Sequence, residues 1–239
     1  MHKWLRTLVV AYLAFVVGQA WSKTYLVSVG VSDYPGTKND LHLPHNDAAT
    51  IQWLYNENKH ATTALLMNSD ATVSNVKAAM RRLFSKATAN DIIVLFFSGH
   101  GVQGSFVCYD GFLHYSDIRS LMSSCKSKSK MVFADTCYSG AFRTNGKKNG
   151  GGWQATNIML FLSCRTNERS IERRGMTNGL FTYALQHGLR GGADANKDRI
   201  ITAKELFNYV SVKVKQMSNN KQHPVMWGKF PNTMSVMRW

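Results

Sequence analysis

Short apolar stretches of strand length recur along the chain and are separated by polar, turn-forming segments. They occupy residues 24–31, 62–66, 91–97, 130–134 and 158–162. The stretch at 91–97 (DIIVLFF) is almost unbroken, which is typical of a central parallel strand that is covered on both faces. We therefore predict a sheet whose inner strands are buried.

Segments with helical spacing of apolar residues alternate with these strands. They occupy residues 48–55, 70–86, 115–125, 179–189 and 203–215. Asn46 and Asp47 precede the first of them, where side-chain oxygens commonly cap the unpaired backbone N–H groups of a helix. The alternation predicts an α/β fold with a mostly parallel central sheet and helices on both faces.

The first twenty residues differ from the rest of the chain. A basic patch and then an apolar run at 7–17 precede the small residues Gly18 and Ala20, which is typical of a secretory signal peptide cleaved after Ala20. The run is shorter than the roughly 20 residues needed to span a bilayer, and a retained membrane anchor is the competing interpretation. We expect residues 1–20 to be removed and residues 21–239 to form one domain, secreted or periplasmic, without stable membrane insertion.

The chain carries 29 Lys and Arg residues against 14 Asp and Glu residues, and such a balance attracts anions. The basic residues are scattered along the sequence. No zinc-finger spacing, aromatic RNA-binding signature or internal repeat organises them into a binding surface. We therefore expect a basic protein surface and no nucleic-acid partner.

Two features of the sequence bear on metal binding. The four cysteines have no CxxC spacing, so neither a zinc site nor a disulfide framework is indicated. Residues 194–205 have the spacing of a calcium loop, but the sixth position is Arg199 where glycine is expected. We therefore expect an acidic turn that ends in a helix cap, with no metal and no cofactor.

Two glycine-containing motifs each follow a predicted strand. His100 lies in SGHG after the strand at 91–97, and Cys137 lies in DTCYSG after the strand at 130–134. Because the carboxyl ends of parallel strands meet at one edge of a sheet, we expect the two side chains to lie close together. Attack of a cysteine thiol on a carbonyl needs an imidazole to move protons and N–H donors aimed at the developing oxyanion. The backbone N–H groups of Gly101 and Cys137 are the candidate oxyanion donors.

The segments DIIVLFFSGHG and KMVFADTCYSG resemble the histidine and cysteine motifs of the caspase and metacaspase family, in the same order. The likeness runs from residue 24 to the region of residue 231 and includes SVGVSDY, HNDAA and GLFTYAL. It implies a caspase-hemoglobinase fold in which His100 assists proton transfer and Cys137 attacks the peptide carbonyl to form a thioester. The implied function is a cysteine endopeptidase with peptide or protein substrates. The alternative is a catalytically silent binding or scaffold protein of the same fold.

The resemblance also implies a substrate pocket. Metacaspase-like members accept Arg or Lys before the scissile bond through acidic residues, and the matching positions here are Asp47 and Asp135. Two carboxylates at the mouth of a cleft would pair with a guanidinium or ammonium group. A helix cap is the alternative role for Asp47. The acidic residue expected near Thr166 is missing, so Glu168 or Glu172 is the candidate for a third pocket carboxylate.

Residues 143–152 contain four glycines and no apolar residue, which is typical of an exposed flexible linker between the larger and smaller parts of the domain. Proteases cut such loops readily. Arg143, Lys147 and Lys148 are therefore candidate autocleavage sites for an enzyme that prefers basic residues, and an uncut basic loop is the alternative. The sequence does not indicate an oligomeric state.

Overall fold

The computed structural model describes residues 22–57, 60–136, 156–165, 168, 170–171 and 175–238. The strands are β1 (Thr24–Gly30), β2 (Ala61–Met67), β3 (Ile92–Gly99), β4 (Gly101–Val102), β5 (Ser105–Cys108), β6 (Gly111–His114), β7 (Ser129–Thr136), β8 (Ile158–Leu162), β9 (Ile200–Thr202), β10 (Val225–Trp227) and β11 (Ser235–Arg238). The helices are α1 (Pro44–Asn56), α2 (Val73–Phe84), α3 (Tyr115–Ser123), α4 (Leu180–His187) and α5 (Ala203–Met217). Each strand and helix predicted from the sequence is confirmed as an element, with its ends shifted by a few residues.

Six strands form the central sheet, in the order β10-β8-β7-β3-β1-β2. The strands from β8 to β2 are parallel to their neighbours, and β10 pairs antiparallel with β8 at one edge. The register of β3 with β7 pairs Ser98 with Asp135 and Gly99 with Thr136. The polar ends of these two central strands therefore lie side by side at the carboxyl edge of the sheet.

Apolar cores lie on both faces of the sheet. Successive side chains of a strand point to opposite faces, so Ile93 and Leu95 of β3 join the core with α2 and α3, while Val94 and Phe96 join the core with α1, α4 and α5. All residues of β3 are buried. The predicted α/β fold, with a mostly parallel sheet covered by helices on both faces, is confirmed.

The structure also contains short antiparallel strands that the sequence analysis did not predict. Strands β4, β5 and β6 form a small sheet directly after His100, and β9 pairs with β11. The Phe106 ring of β5 stacks on Phe97 of β3, with a centroid distance of 4.2 Å. Strands this short do not display the alternation of apolar and polar residues by which a strand is recognised.

Helix α1 begins earlier than the sequence pattern indicated. Leu43 is the N-cap residue and Pro44 opens the first turn, where a missing backbone N–H removes no helical hydrogen bond. Asn46 and Asp47 therefore lie inside the helix. The prediction that they precede it as capping residues is wrong.

Residues 194–205 form an acidic turn that leads into α5. The carboxylate of Asp194 accepts a hydrogen bond from the backbone N–H of Arg199, at 3.0 Å. Thr202 and Glu205 then form a capping box, in which each side chain accepts a hydrogen bond from the backbone of the other. The predicted turn and helix cap are confirmed.

Helices in the described part of the chain are all too short or too polar to cross a membrane. The predicted signal peptide at 1–20 lies outside the described residues, and so does the predicted linker at 143–152, which connects β7 to β8. Both stay predictions.

Gly30, at the end of β1, lies against the first part of α1. A substitution there tests how closely the helix packs on the sheet. The β-carbon of an alanine there would lie 2.2 Å from the Pro44 carbonyl oxygen and 2.7 Å from Ala48 Cβ. The Gly30→Ala variant should therefore lose about 3 kcal/mol of unfolding free energy or more, because the helix backbone must move. Urea denaturation measures this loss.

The matched control is Gly36→Ala. Gly36 has a φ of 79° and a ψ of 146°, with no neighbouring atom within 4 Å of an added β-carbon, so only its positive-φ backbone conformation opposes alanine, at a cost of about 1–3 kcal/mol. Equal losses of unfolding free energy in the two variants would contradict the close packing of α1 on β1.

Candidate active site

A narrow cleft opens at the carboxyl edge of the sheet, where β3 and β7 end. Its volume is about 60 Å³, and the residues that line it include Asp47, His100, Asp135 and Thr136. The structure therefore brings together three of the predicted site residues, from α1, the segment after β3 and the end of β7. Cys137 lies outside the described residues, but Thr136 immediately precedes it in the chain.

His100 follows β3 directly, and its ring has a defined orientation. The Nε2 atom lies 2.8 Å from the carbonyl oxygen of Asn39. Because a carbonyl oxygen only accepts hydrogen bonds, Nε2 is the donor and carries the proton of the neutral ring. Nδ1 is then the nitrogen that can accept a proton, as a general base requires.

Tyr34 fixes the backbone of His100. Its hydroxyl accepts a hydrogen bond from the His100 N–H (2.9 Å) and donates one to the Val107 carbonyl oxygen (3.2 Å). Burial raises the pKa of Tyr34, so the hydroxyl keeps its proton. Gly99 permits this contact, because a β-carbon there would lie 2.8 Å from the Tyr34 hydroxyl oxygen. The sequence analysis included Tyr34 only as part of the SVGVSDY segment of the family likeness, since no spacing in the sequence connects it with His100.

Asp47 is buried, with 2% of its surface exposed. Its carboxylate accepts hydrogen bonds from the Ser98 hydroxyl (2.8 Å), the Asn178 side-chain amide (2.9 Å) and the Gly179 N–H (3.0 Å). Burial and, after it, the nearby Asp135 carboxylate raise the pKa of Asp47 well above its usual value despite these bonds. The alternative role as a helix cap is wrong, because all three donors lie outside α1.

Asp135, at the end of β7, is the second buried carboxylate of the cleft. Thr182 donates two hydrogen bonds to its Oδ2 atom, from the backbone N–H (3.1 Å) and the hydroxyl (2.8 Å). The Ser170 hydroxyl donates to Oδ1. The strand register sets Asp135 beside Ser98, which in turn binds Asp47. The two carboxylates therefore share one end of the cleft.

The beginning of α4 supports both carboxylates. The N–H of Gly179, directly before the helix, binds Asp47, and the N–H of Thr182 in the first turn binds Asp135. The partial positive charge of a helix N-terminus stabilises such carboxylates. The sequence analysis predicted this helix and both aspartates, but not their contacts, which join residues 132 positions apart in the case of Asp47 and Gly179.

Gln222 fixes the loop after β8, which forms another wall of the cleft. Its side-chain Oε1 atom accepts a hydrogen bond from the Ile171 N–H (3.0 Å), and its Nε2 atom donates to the Ser163 carbonyl oxygen (2.9 Å). The Ser163 hydroxyl accepts a hydrogen bond from the Thr136 N–H (3.2 Å). The fully buried Gln222 therefore connects the cleft wall with the residue that precedes Cys137. Nothing in the sequence signalled this role.

Glu168 makes its contacts with the chain segment at His223. Its carboxylate accepts hydrogen bonds from the backbone N–H and Nδ1 of His223 (both 2.9 Å) and from the Arg165 N–H (3.3 Å). Burial opposes the negative charge, but these bonds outweigh it and lower the pKa of Glu168. Among the described residues that line the cleft, Glu168 is absent. Its role as a third pocket carboxylate stays a prediction.

Other predicted site residues stay as predictions too. Gly101 begins β4 next to His100, and its oxyanion role is not decided by that position. Cys137, Glu172 and the three candidate autocleavage residues lie outside the described residues. In the described part of the chain, no group of three or more His, Cys, Asp or Glu side chains could hold a metal ion.

A solved structure, protein GSU0716 from Geobacter sulfurreducens, is similar to this chain. The two are 19% identical with a TM-score of 0.68, and the match covers 90% of this chain and 97% of that one. At this identity the likeness shows the fold alone. No curated protein matches the chain.

The family comparison covers most of the sequence. Residues 24–233 match the model of the caspase domain, Peptidase_C14. The matched region contains every element that forms the cleft, and the mixed sheet agrees with the caspase-hemoglobinase fold. The chain therefore belongs to the caspase domain family, which is a family of cysteine peptidases.

Proposed function

We propose that the protein is a cysteine endopeptidase that cleaves peptide bonds after arginine or lysine. One observation carries this proposal: the buried carboxylates of Asp47 and Asp135 lie in the same cleft as the oriented ring of His100. Membership of a cysteine peptidase family supports the reaction. The paired acids support the choice of substrate.

The orientation of His100 suits it to move protons for Cys137. Nδ1 takes the proton of the thiol, and the thiolate attacks the carbonyl carbon of the substrate. The C–N bond breaks as Nδ1 passes its proton to the leaving amine, and a thioester remains on Cys137. Water then attacks the thioester and gives a proton to Nδ1, which returns it to the departing sulfur. The Asn39 carbonyl oxygen accepts the Nε2 hydrogen bond throughout and stabilises the positively charged ring.

During attack, negative charge develops on the carbonyl oxygen of the substrate. The backbone N–H groups of Gly101 and Cys137 are the donors that we assign to this oxyanion, because Gly101 follows His100 in the chain and Cys137 carries the reacting thiol. Donors that are fixed before the reaction stabilise the transition state without reorganising. The bond from Tyr34 to His100 helps to fix the backbone next to Gly101.

The acidic end of the cleft favours a cationic substrate side chain. The raised pKa of Asp47 reflects a charge that the surrounding hydroxyl, amide and N–H donors do not fully compensate. A guanidinium or ammonium group near Asp47 and Asp135 would supply the missing positive charge and lower that pKa again. A substrate aspartate would instead add a third carboxyl group to this end of the cleft and be rejected.

We further propose that the enzyme acts after export, as a secreted or periplasmic protein, because residues 1–20 have the pattern of a cleaved signal peptide. N-terminal sequencing of the mature protein from its own organism should then begin at Trp21. A mature protein that retains the first residues would contradict this.

Asp135→Asn tests the acidic pocket. The substitution keeps the shape of the side chain and removes its charge. We expect kcat/KM for cleavage after arginine to fall at least about 100-fold, because a buried ion pair with the substrate is lost. A fluorogenic peptide with arginine before the scissile bond measures the rate, and thermal unfolding verifies that the variant is folded.

The matched control is Asp117→Asn, whose carboxylate pairs with Lys77 on the surface at 2.5 Å. It should change kcat/KM less than about twofold, as expected for a surface ion pair. Wild-type rates in Asp135→Asn would contradict the pocket. Glu168→Gln in the same assay tests the remaining candidate, since a loss of selectivity for arginine would place Glu168 in the pocket.

Asp47 should give stability a distinctive pH dependence. Its pKa in the folded protein is raised above the usual 3.8, so the folded state holds this proton more tightly than the unfolded state. The stabilisation that this proton provides is complete below the pKa of Asp47 in the unfolded chain. It is lost as the pH rises through the pKa of Asp47 in the folded protein. Asp47→Asn cannot ionise, so it should be more stable than the wild type near about pH 8, with the difference closing toward about pH 4. Thermal unfolding of both proteins across this range measures the difference, and a difference independent of pH would contradict the raised pKa.

A further inference from the structure

We infer that Gly179 is a specificity-determining residue, because the absence of a side chain there keeps the space between the two pocket carboxylates open for the basic group of the substrate. The inference rests on the proposed function and names a residue that controls it.

Gly179 lies close to both pocket carboxylates. It lines the cleft, and its N–H binds Asp47 at 3.0 Å. A β-carbon at this residue would lie 2.7 Å from Oδ2 of Asp135 and 3.4 Å from Oδ2 of Asp47. Even the smallest side chain would therefore project between the two carboxylates.

Backbone conformation does not account for this glycine. Gly179 has a φ of −57° and a ψ of 153°, which residues of any type adopt readily. It is the N-cap of α4, but its lack of a side chain leaves it with no side-chain cap hydrogen bond. Serine, asparagine and aspartate are better N-cap residues than glycine. The space between the carboxylates remains as the physical reason for glycine.

Asp135 has little freedom to make way for a larger residue. Its Oδ2 atom, the one nearest to the added β-carbon, already accepts both the N–H and the hydroxyl hydrogen bonds of Thr182. Moving the carboxylate would break these bonds and displace the pocket charge. The cleft is small, at about 60 Å³, so a displaced carboxylate would reduce the room for a cation beside the acids.

Gly179→Ala should therefore lose its preference for basic substrates while keeping a reactive thiol. The test measures alkylation of Cys137, by mass spectrometry of its peptide, with an arginine chloromethyl ketone, an alanine chloromethyl ketone and iodoacetamide. We expect the arginine reagent to react about 100-fold more slowly than with the wild type, as for a displaced binding group. The alanine reagent and iodoacetamide should change less than about threefold, because neither needs the pocket.

Gly188→Ala is the matched control at the other end of α4. A β-carbon there would also be crowded, at 2.9 Å from Leu206 Cδ1, but it lies outside the cleft. This variant should keep the wild-type preference for the arginine reagent. Gly179→Ser is the second pocket variant if alanine prevents folding, since its hydroxyl can donate to a displaced carboxylate while still occupying the space.

The outcomes separate the inference from the proposed function. A wild type that reacts equally with the arginine and alanine reagents would overturn both. A wild type that prefers arginine, with the same preference in folded Gly179→Ala or Gly179→Ser, would overturn the role of Gly179 alone. Loss of the preference in Gly188→Ala as well would also overturn it, because general damage to α4 would then suffice.

Discussion

The burial of two carboxylates at one end of a cleft is the constraint on which this active site depends. An ionised carboxyl removed from water is unstable unless hydrogen bonds replace its hydration. Asp47 and Asp135 receive those bonds from the end of β3, the beginning of α4 and the loop after β8. No single element supplies enough donors, so the pocket forms only when these parts of the fold are packed together.

The same constraint connects stability with the proposed function. Hydrogen bonds from neutral groups hold Asp47, yet burial and Asp135 still raise its pKa. The folded protein therefore retains an unfavourable electrostatic term that a substrate cation can relieve. Perturbed carboxyl groups in a cleft are a common feature of functional sites. In this account, the electrostatic cost of burying Asp47 beside Asp135 becomes selectivity for arginine and lysine.

Much of the fold follows from local sequence pattern. The continuous apolar run of β3 predicts a central strand, and the apolar runs of β1, β2, β7 and β8 predict the remaining parallel strands. The placement of His100 at the end of β3 follows as well. The resemblance to a known family adds Asp47 and Asp135, which the structure places in the same cleft.

The unpredicted features depend on contacts between distant residues. Tyr34 binds the His100 backbone, and Gln222 supports the cleft wall, but no sequence motif signals either contact. For Asp47, the sequence identifies the residue but not its role. An acidic residue near the beginning of a helix looks the same in sequence whether it caps the helix or binds a neighbouring segment, and only its hydrogen-bond donors distinguish the two.

The most direct test of the central claim is hydrolysis of fluorogenic peptides with Arg, Lys, Asp or Asn before the scissile bond, by the mature protein and its Cys137→Ala variant. The account predicts cleavage after Arg and Lys that disappears in the variant. Cleavage after Asp or Asn would contradict the acidic pocket while keeping the nucleophile. Silence with every peptide would contradict endopeptidase activity in the protein as isolated and would point to a zymogen or a catalytically silent scaffold.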